Sequence, residues 1–225
     1  MLLIHVRKDA VLTMVANQKA QFLLAFQDRT CLSKLFRNLF KRIGWDMDIH
    51  ESDSNLQTFC HVGGLCSEDQ DVLAKVGPQI VPYIPVLTEA FYAVLQKDPQ
   101  TAPYVEGRVD KLKETHIAWM NELFRGDYGP DFIQRQERIG DVHVKVKIPP
   151  LFVAASMSFL RSAFPSIVAQ RITDIEESGK AVASLLRLLD FCQYLIDRKY
   201  NTTLMDNLGI SPALLTRLQT IAKSS

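Results

Sequence analysis

The stretch that decides the fold runs from Arg138 to Pro150 and reads Arg-Ile-Gly-Asp-Val-His-Val-Lys-Val-Lys-Ile-Pro-Pro. It places a single histidine, His143, near the end of an amphipathic helical run. The two prolines force a break in that helix, because proline lacks an amide hydrogen and fits only the first turn of the next helix. A long apolar segment, residues 151–164, follows at once. A histidine at the end of one helix that faces a second apolar helix could hold a flat, iron-containing cofactor between them.

Apolar residues elsewhere in the chain recur at helical spacing, and strand signals are nearly absent. Residues 142–148 alternate between apolar and polar side chains, which in isolation is typical of a short strand. Because every other long segment has a helical pattern, we predict an all-α protein. Two helix ends have local signals: Ser67 as an N-cap with Gln70 completing a capping box, and Gly209 as a C-terminal stop.

The composition limits the class of protein. The chain has 225 residues, of which 47% are hydrophobic, and a formal net charge of +1, so a nucleic-acid partner is not expected. No run of eighteen apolar residues is present, so no transmembrane segment is predicted, and the first residues lack the charge order of a secretory signal. The four cysteines are irregularly spaced, which favours a reduced, cytoplasmic protein.

Residues 1–57 differ from residues 58–225, and we predict an N-terminal helical extension followed by the main domain. The segment 32–43 has an apolar stripe separated by lysine and arginine, which is typical of a basic amphipathic helix. Such a helix can lie on a membrane surface or bind a partner. It can also pack on the core of its own chain or of a second copy, and we favour packing because most amphipathic helices face a core.

Common catalytic motifs are absent. The chain has no Gly-x-Ser-x-Gly elbow, no Walker loop and no dinucleotide fingerprint, so nothing indicates a hydrolase or a transferase. A b-type haem site needs no such motif. It needs one axial histidine in an apolar slot between helices. A lone histidine is nevertheless more often a packed side chain than a ligand, and His143 alone does not decide between the two.

Several motifs in order resemble one family. The sequence from Arg138 to Phe152, with its Ile-Gly-x-x-His core, is similar to the proximal motif of the protoglobin and globin-coupled-sensor lineage. Two further segments resemble the B and E helices of that lineage: Phe91-Tyr92-x-x-Leu95 and Leu112-Lys113-x-Thr115. The resemblance covers about residues 60–206, and it implies a globin-like helical sandwich with extra N-terminal helices.

The resemblance also implies a set of site residues. His143 corresponds to the proximal ligand of a haem b iron. Tyr92 corresponds to a distal tyrosine, Leu112 to an apolar distal contact, Thr115 to a second distal donor and Phe152 to a residue lining the proximal side. A hydroxyl donor in a dry pocket stabilises bound dioxygen, which carries partial negative charge, more than it stabilises carbon monoxide.

Some positions depart from the family pattern or have a simpler interpretation. Lys147 replaces a glycine that is common after the proximal histidine, and Phe152 replaces a tryptophan. Tyr92 could be an ordinary core tyrosine, and Thr115 could bond its own helix backbone. His116 is expected to pack at the helix edge, with ligation of iron by two histidines as the alternative.

The function implied is that of a haem-based gas-binding protein. We expect a dioxygen sensor with a pentacoordinate (five-coordinate) haem, able also to bind nitric oxide or carbon monoxide. We expect a single-domain homodimer formed through the last two long helices, which passes its signal to a separate protein. The alternatives are a globin enzyme, either a nitric oxide dioxygenase or a peroxidase-like protein, and a haem-free helical interaction module. Catalysis is less expected, because no reductase domain accompanies the globin.

Overall fold

A computed structural model of the chain describes residues 53–220. This part of the chain contains nine α-helices and no strand, which confirms the all-α prediction. The helices are α1 (Ser54–Gly63), α2 (Ser67–Ile80), α3 (Ile84–Lys97), α4 (Ala102–Val105), α5 (Val109–Glu122), α6 (Pro130–Lys145), α7 (Pro150–Arg171), α8 (Ile175–Leu208) and α9 (Pro212–Thr220). The predicted basic helix at 32–43 lies outside the described residues, and α1 crosses the boundary predicted at residue 57.

The longest helix, α8, is the element on which α2, α6 and α7 pack. Its 34 residues span about 50 Å at 1.5 Å per residue. It begins where the Asp174 carboxylate accepts a hydrogen bond from the Glu177 amide at 2.7 Å. It ends where Gly209 takes a φ of 62°, as predicted, because a left-handed residue closes the last turn without a steric penalty for glycine. One side of α8 is buried between Ala181 and Ile196, where the other helices pack on it.

The N-terminus of α2 corrects one sequence-based prediction. The N-cap is Cys66 rather than Ser67, and the capping side chain is Asp69 rather than Gln70. The Asp69 carboxylate accepts from the Cys66 amide at 2.9 Å, and also from Ser184 at 2.6 Å and from Arg187 at 2.8 Å. The same buried carboxylate therefore caps α2 and joins it to α8. The sequence pattern indicates a cap near Ser67 but not the contacts with α8.

Helix α7 is the one described helix that is long and apolar enough to cross a bilayer by length and composition alone, a test that core helices also pass. Its buried face includes Met157 and Leu160 and belongs to the main core. Its Arg161 donates to Asp190 on α8 at 2.7 Å. One face of α7 therefore packs against the core and α8, whereas most of the helix is not buried.

The hydrophobic interior formed by residues 53–220 has two clusters. The main core joins α2, α6, α7 and α8 and includes contributions from α1, α3 and α5. The second cluster, defined here as Phe91, Tyr92 and Val105 with the partly buried residues around them, lies between α3, α4 and α5. Phe159 of α7 packs against both clusters. Two of the predicted site residues, Tyr92 and Leu112, belong to the second cluster.

Candidate cofactor site

His143 lies in the last turn of α6 and is partly buried. Its Nδ1 is 2.7 Å from the carbonyl oxygen of Ile139, one turn earlier. Because a carbonyl can only accept, Nδ1 carries the proton and Nε2 keeps its lone pair. Burial lowers the pKa of His143, and the Ile139 carbonyl only partly opposes this effect. The imidazole is therefore neutral at pH 7, with one nitrogen able to bind a metal.

The turn after α6 fixes the backbone at this histidine. The amide of Ile148 donates to the His143 carbonyl at 2.9 Å, and the amide of Lys147 donates to Val144 at 3.0 Å. This pair of bonds is the Schellman pattern, which needs a left-handed residue, and Lys147 has a φ of 58°. The Tyr200 hydroxyl of α8 donates to the Ile148 carbonyl at 2.8 Å. The turn that follows the histidine is thus tied to α8.

Gly140, one turn before His143, allows α6 and α8 to approach closely. A Cβ at this position would lie 2.7 Å from Cγ of Lys199 and 2.8 Å from the Ile196 carbonyl oxygen. No side chain fits at such distances without a shift of the backbone. The glycine of the Ile-Gly-x-x-His motif is therefore required by the packing of the two helices.

Tyr92 lies in the second cluster, with 6% of its surface exposed. Its ring makes an edge contact with Phe91, with centroids 5.2 Å apart. Burial raises the pKa of Tyr92 to about 12, so the hydroxyl keeps its proton at neutral pH. No protein group in the described range of residues hydrogen-bonds this hydroxyl. Tyr92 is therefore a neutral donor whose proton has no acceptor among residues 53–220.

The two predicted residues on α5 differ in position. Leu112 is partly buried and packs against the second cluster with Tyr92. Thr115 is exposed, and its hydroxyl donates to the Leu112 carbonyl at 2.9 Å. The structure therefore brings Leu112 and Tyr92 together and leaves Thr115 bonded to its own helix.

His116, which we expected to pack at the helix edge, lies against the second cluster. Its ring centroid lies 4.9 Å from that of Phe91 and 5.7 Å from that of Tyr92. Its Nδ1 is buried and has no hydrogen-bond partner among the described residues. Burial lowers the pKa of His116 to about 4, so the ring is neutral at pH 7.

Trp119 and Gln136 connect the neighbourhood of His116 to α6. The Trp119 ring lies 5.5 Å from that of His116 at an interplanar angle of 8°. The Trp119 Nε1–H donates to Oε1 of Gln136 at 2.8 Å, and Gln136 is fully buried. The contact joins α5 to the helix that bears His143.

Two phenylalanines of α7 lie beside the residues of α3 and α4. Phe152, predicted to line the proximal side, is partly buried and its ring meets Tyr104 of α4 edge-on, with centroids 5.5 Å apart. Phe159 was not predicted, although it lies two helical turns beyond Phe152, a spacing that places both on one face. Its ring lies 5.4 Å from that of Phe91.

Comparison with known proteins gives a consistent result. Residues 52–205 match the family model described as Protoglobin. Among solved structures, the chain is similar to the globin domain of a Geobacter sulfurreducens globin-coupled sensor, with a TM-score of 0.61 and 27% identity over 64% of this chain and 96% of that one.

Similarity extends to the globin domain of E. coli DosC in its ferric and ferrous forms. Each form has a TM-score of 0.53 and 18% identity, over 57% of this chain and 89% of the other, which supports the shared fold. Membership of a globin family implies haem-based gas binding. With all-α architecture and a family match over more than half of its length, the chain belongs to the protoglobin family.

Proposed function

We propose that this protein binds haem b through Nε2 of His143 and senses dioxygen at the opposite face of that haem. The observation that carries the proposal is the hydrogen bond from Nδ1 of His143 to Ile139, at 2.7 Å, which leaves Nε2 as a neutral ligand. A ligand histidine held by its other nitrogen is the usual arrangement in proteins that bind metals. The predicted haem is pentacoordinate, with the sixth position open to gas.

The side chains of the second cluster are compatible with a haem nearby. The Nδ1 of His116 is buried and has no hydrogen-bond partner among residues 53–220, and such an atom is costly unless another group satisfies it. Leu112 and Phe159 supply the apolar lining that a porphyrin requires. Phe152 remains the predicted proximal contact, whereas Thr115 is less suited to donate because its hydroxyl already bonds Leu112.

When bound, haem supplies an iron centre that coordinates diatomic gases. The residues of the chain hold the haem and favour one gas over another. His143 binds in the neutral form, and Tyr92 presents a protonated hydroxyl in a buried setting, where a hydrogen bond to a polar ligand is stronger than in water. Dioxygen gains more from this donor than carbon monoxide does, which supports dioxygen as the ligand sensed.

The similarity to a sensor protein bears on the wider role of this chain. A protein that is 27% identical to this one is a globin domain of a globin-coupled sensor, which supports a signalling function. We propose that this chain acts as a cytoplasmic homodimer that passes its signal to a separate protein. Pairing through α7 and α8 would give a four-helix bundle.

The first experiment tests the ligand. The absorption spectrum of the ferrous protein is recorded before and after oxygen for the native chain, for His143→Ala and, as a control, for His61→Ala in the exposed part of α1. We expect the native Soret band and its shift on oxygenation in the control and their loss in His143→Ala. A native spectrum for His143→Ala would refute the ligand assignment. A protein that stays colourless after haem is added would establish the haem-free alternative.

The second experiment tests the distal donor. Tyr92→Phe should raise the dioxygen dissociation rate about tenfold, the equivalent of one hydrogen bond, and change that of carbon monoxide much less. Stopped-flow measurement gives both rates. The control is Tyr104→Phe, which also removes a tyrosine hydroxyl but keeps the ring that packs on Phe152. An unchanged rate would remove Tyr92 from the gas site. Rapid nitrate formation from nitric oxide, sustained by an electron donor, would favour the enzyme alternative.

A further inference from the structure

The contact between Trp119 and Gln136 has a fixed direction. An indole N–H can only donate, so the carboxamide must present Oε1 to Trp119. Turning the amide over would place two donors against each other. Gln136 is fully buried, and its Nε2 has no hydrogen-bond partner within residues 53–220. The bond of 2.8 Å is therefore the interaction that sets the plane of the indole.

The indole in turn sets the place of His116. Its ring is nearly parallel to the imidazole, and Phe91 and Tyr92 contact the imidazole as well. Nδ1 of His116 has no hydrogen bond of its own in the described part of the chain. Ring packing, rather than a hydrogen bond, thus holds the imidazole in position.

We propose that Trp119 and Gln136 are positioning residues that keep His116 in the ring stack, and so keep it from occupying the sixth coordination position of iron. The proposal rests on haem binding through His143. Gln136 and His143 are seven residues apart on α6, which is two helical turns and places both on one face. A movement of α6 at His143 would therefore also move the acceptor that anchors Trp119.

Two variants test the pair. Trp119→Phe keeps a ring but removes the donor, and Gln136→Met keeps the length of the side chain but removes the acceptor. An imidazole released from the ring stack is available as a sixth ligand, so we expect each variant to raise the ratio of six-coordinate to five-coordinate ferric haem, by about three- to tenfold for one lost hydrogen bond. The double variant should change no more than the larger single one, because both remove the same contact.

Controls show whether the effect passes through His116. In a His116→Ala background, Trp119→Phe should leave the ratio unchanged. Gln134→Met, at an exposed position of the same helix, should behave as the native chain. An unchanged or lowered ratio in the two test variants, or a rise that persists without His116, would overturn the proposal.

A readout that needs no haem separates this proposal from the one on which it rests. In NMR spectra of the full chain, the indole N–H resonance of Trp119 should move upfield in Gln136→Met, and the His116 ring protons should lose their ring-current shift. Absence of a Soret band in every variant would refute haem binding alone. Unchanged indole and imidazole resonances would refute the positioning role, whether or not haem binds.

Discussion

Lys147 has a positive φ of 58°, and it is the one non-glycine residue in the described part of the chain that does so. The sequence already marked this position, because the family commonly has glycine there. The structure adds the reason: the turn needs a left-handed residue so that the Ile148 amide can reach the His143 carbonyl. A lysine in that conformation is strained by contact between its Cβ and the backbone.

Replacing Lys147 with glycine should therefore stabilise the protein, by about 1 kcal/mol in the free energy of unfolding. Urea denaturation measures this difference. Lys145→Gly is the matched control: it lies within the last turn of α6, where glycine should instead cost up to about 1 kcal/mol. Destabilisation by Lys147→Gly would mean that the turn does not need the left-handed conformation.

Thr115 and His116 show how far residue-level prediction extends. Adjacent residues of a helix point about 100° apart, so a shift of one position exchanges an inward side chain for an outward one. The resemblance placed α5 correctly but assigned the donor role to Thr115, which is exposed. Only the packing of α5 against α3 reveals that His116 faces Tyr92. A sequence without tertiary contacts could not decide between them.

At the scale of the elements, the crossing of α6 and α8 is determined by Gly140. The sequence showed this glycine as part of a motif, without a physical role. The structure gives one, because Lys199 and the Ile196 carbonyl occupy the space of a Cβ. The Lys199 ammonium also pairs with Asp141 at 3.2 Å.

Gly140→Ala should destabilise the protein by about 2 kcal/mol, because the added methyl forces the two helices apart. The control is Gly179→Ala in α8, where no atom beyond the adjacent residues and the helix's own backbone lies within 4 Å of the added Cβ and where alanine should stabilise the helix by up to about 1 kcal/mol. Thermal unfolding of both variants measures the contrast. Equal effects of the two substitutions would show that the close approach is not needed.

Element boundaries could be predicted where local chemistry determines them. The end of α8 at Gly209 and the helical state of residues 142–145 were both predicted correctly. The start of α2 was wrong by one residue because the capping carboxylate, Asp69, has its other partners on α8. Local sequence carries no signal for a contact between residues so far apart in the chain.

At the scale of the whole molecule, Asp69 gives stability a pH dependence. Burial by itself raises the pKa of Asp69, but hydrogen bonds from Arg187 and Ser184 outweigh it, so the pKa lies below its ordinary value. A carboxyl with a lowered pKa in the folded state stabilises the protein above its unfolded pKa of about 3.9. That contribution is lost as the pH falls through the folded-state pKa.

Asp69→Asn should therefore reduce stability by about 3 kcal/mol at pH 7, because Arg187 loses its charged partner. The difference from the native chain should shrink as the pH falls below about 4. Urea unfolding from pH 7 to pH 3 tests this, with Asp71→Asn, exposed on the same helix, as the control. A difference that stays constant with pH would mean that the Asp69 carboxyl titrates alike in the folded and unfolded chains.

The division of the interior into two clusters, with Phe159 contacting both, affects how the molecule opens. The second cluster has three buried hydrophobic residues, whereas the main core has many more and includes Ile84 and Leu87 at the start of α3, so α4 and the C-terminal half of α3 are held by far less apolar contact. Segments with few buried contacts exchange their amide hydrogens through partial unfolding, at a free energy below that of global unfolding. Amides of α4 and of the C-terminal half of α3 should thus exchange before those of α8. A ligand held between the two clusters would slow that early exchange most, so among the described helices the region that opens first is also the one that ligand binding would stabilise most.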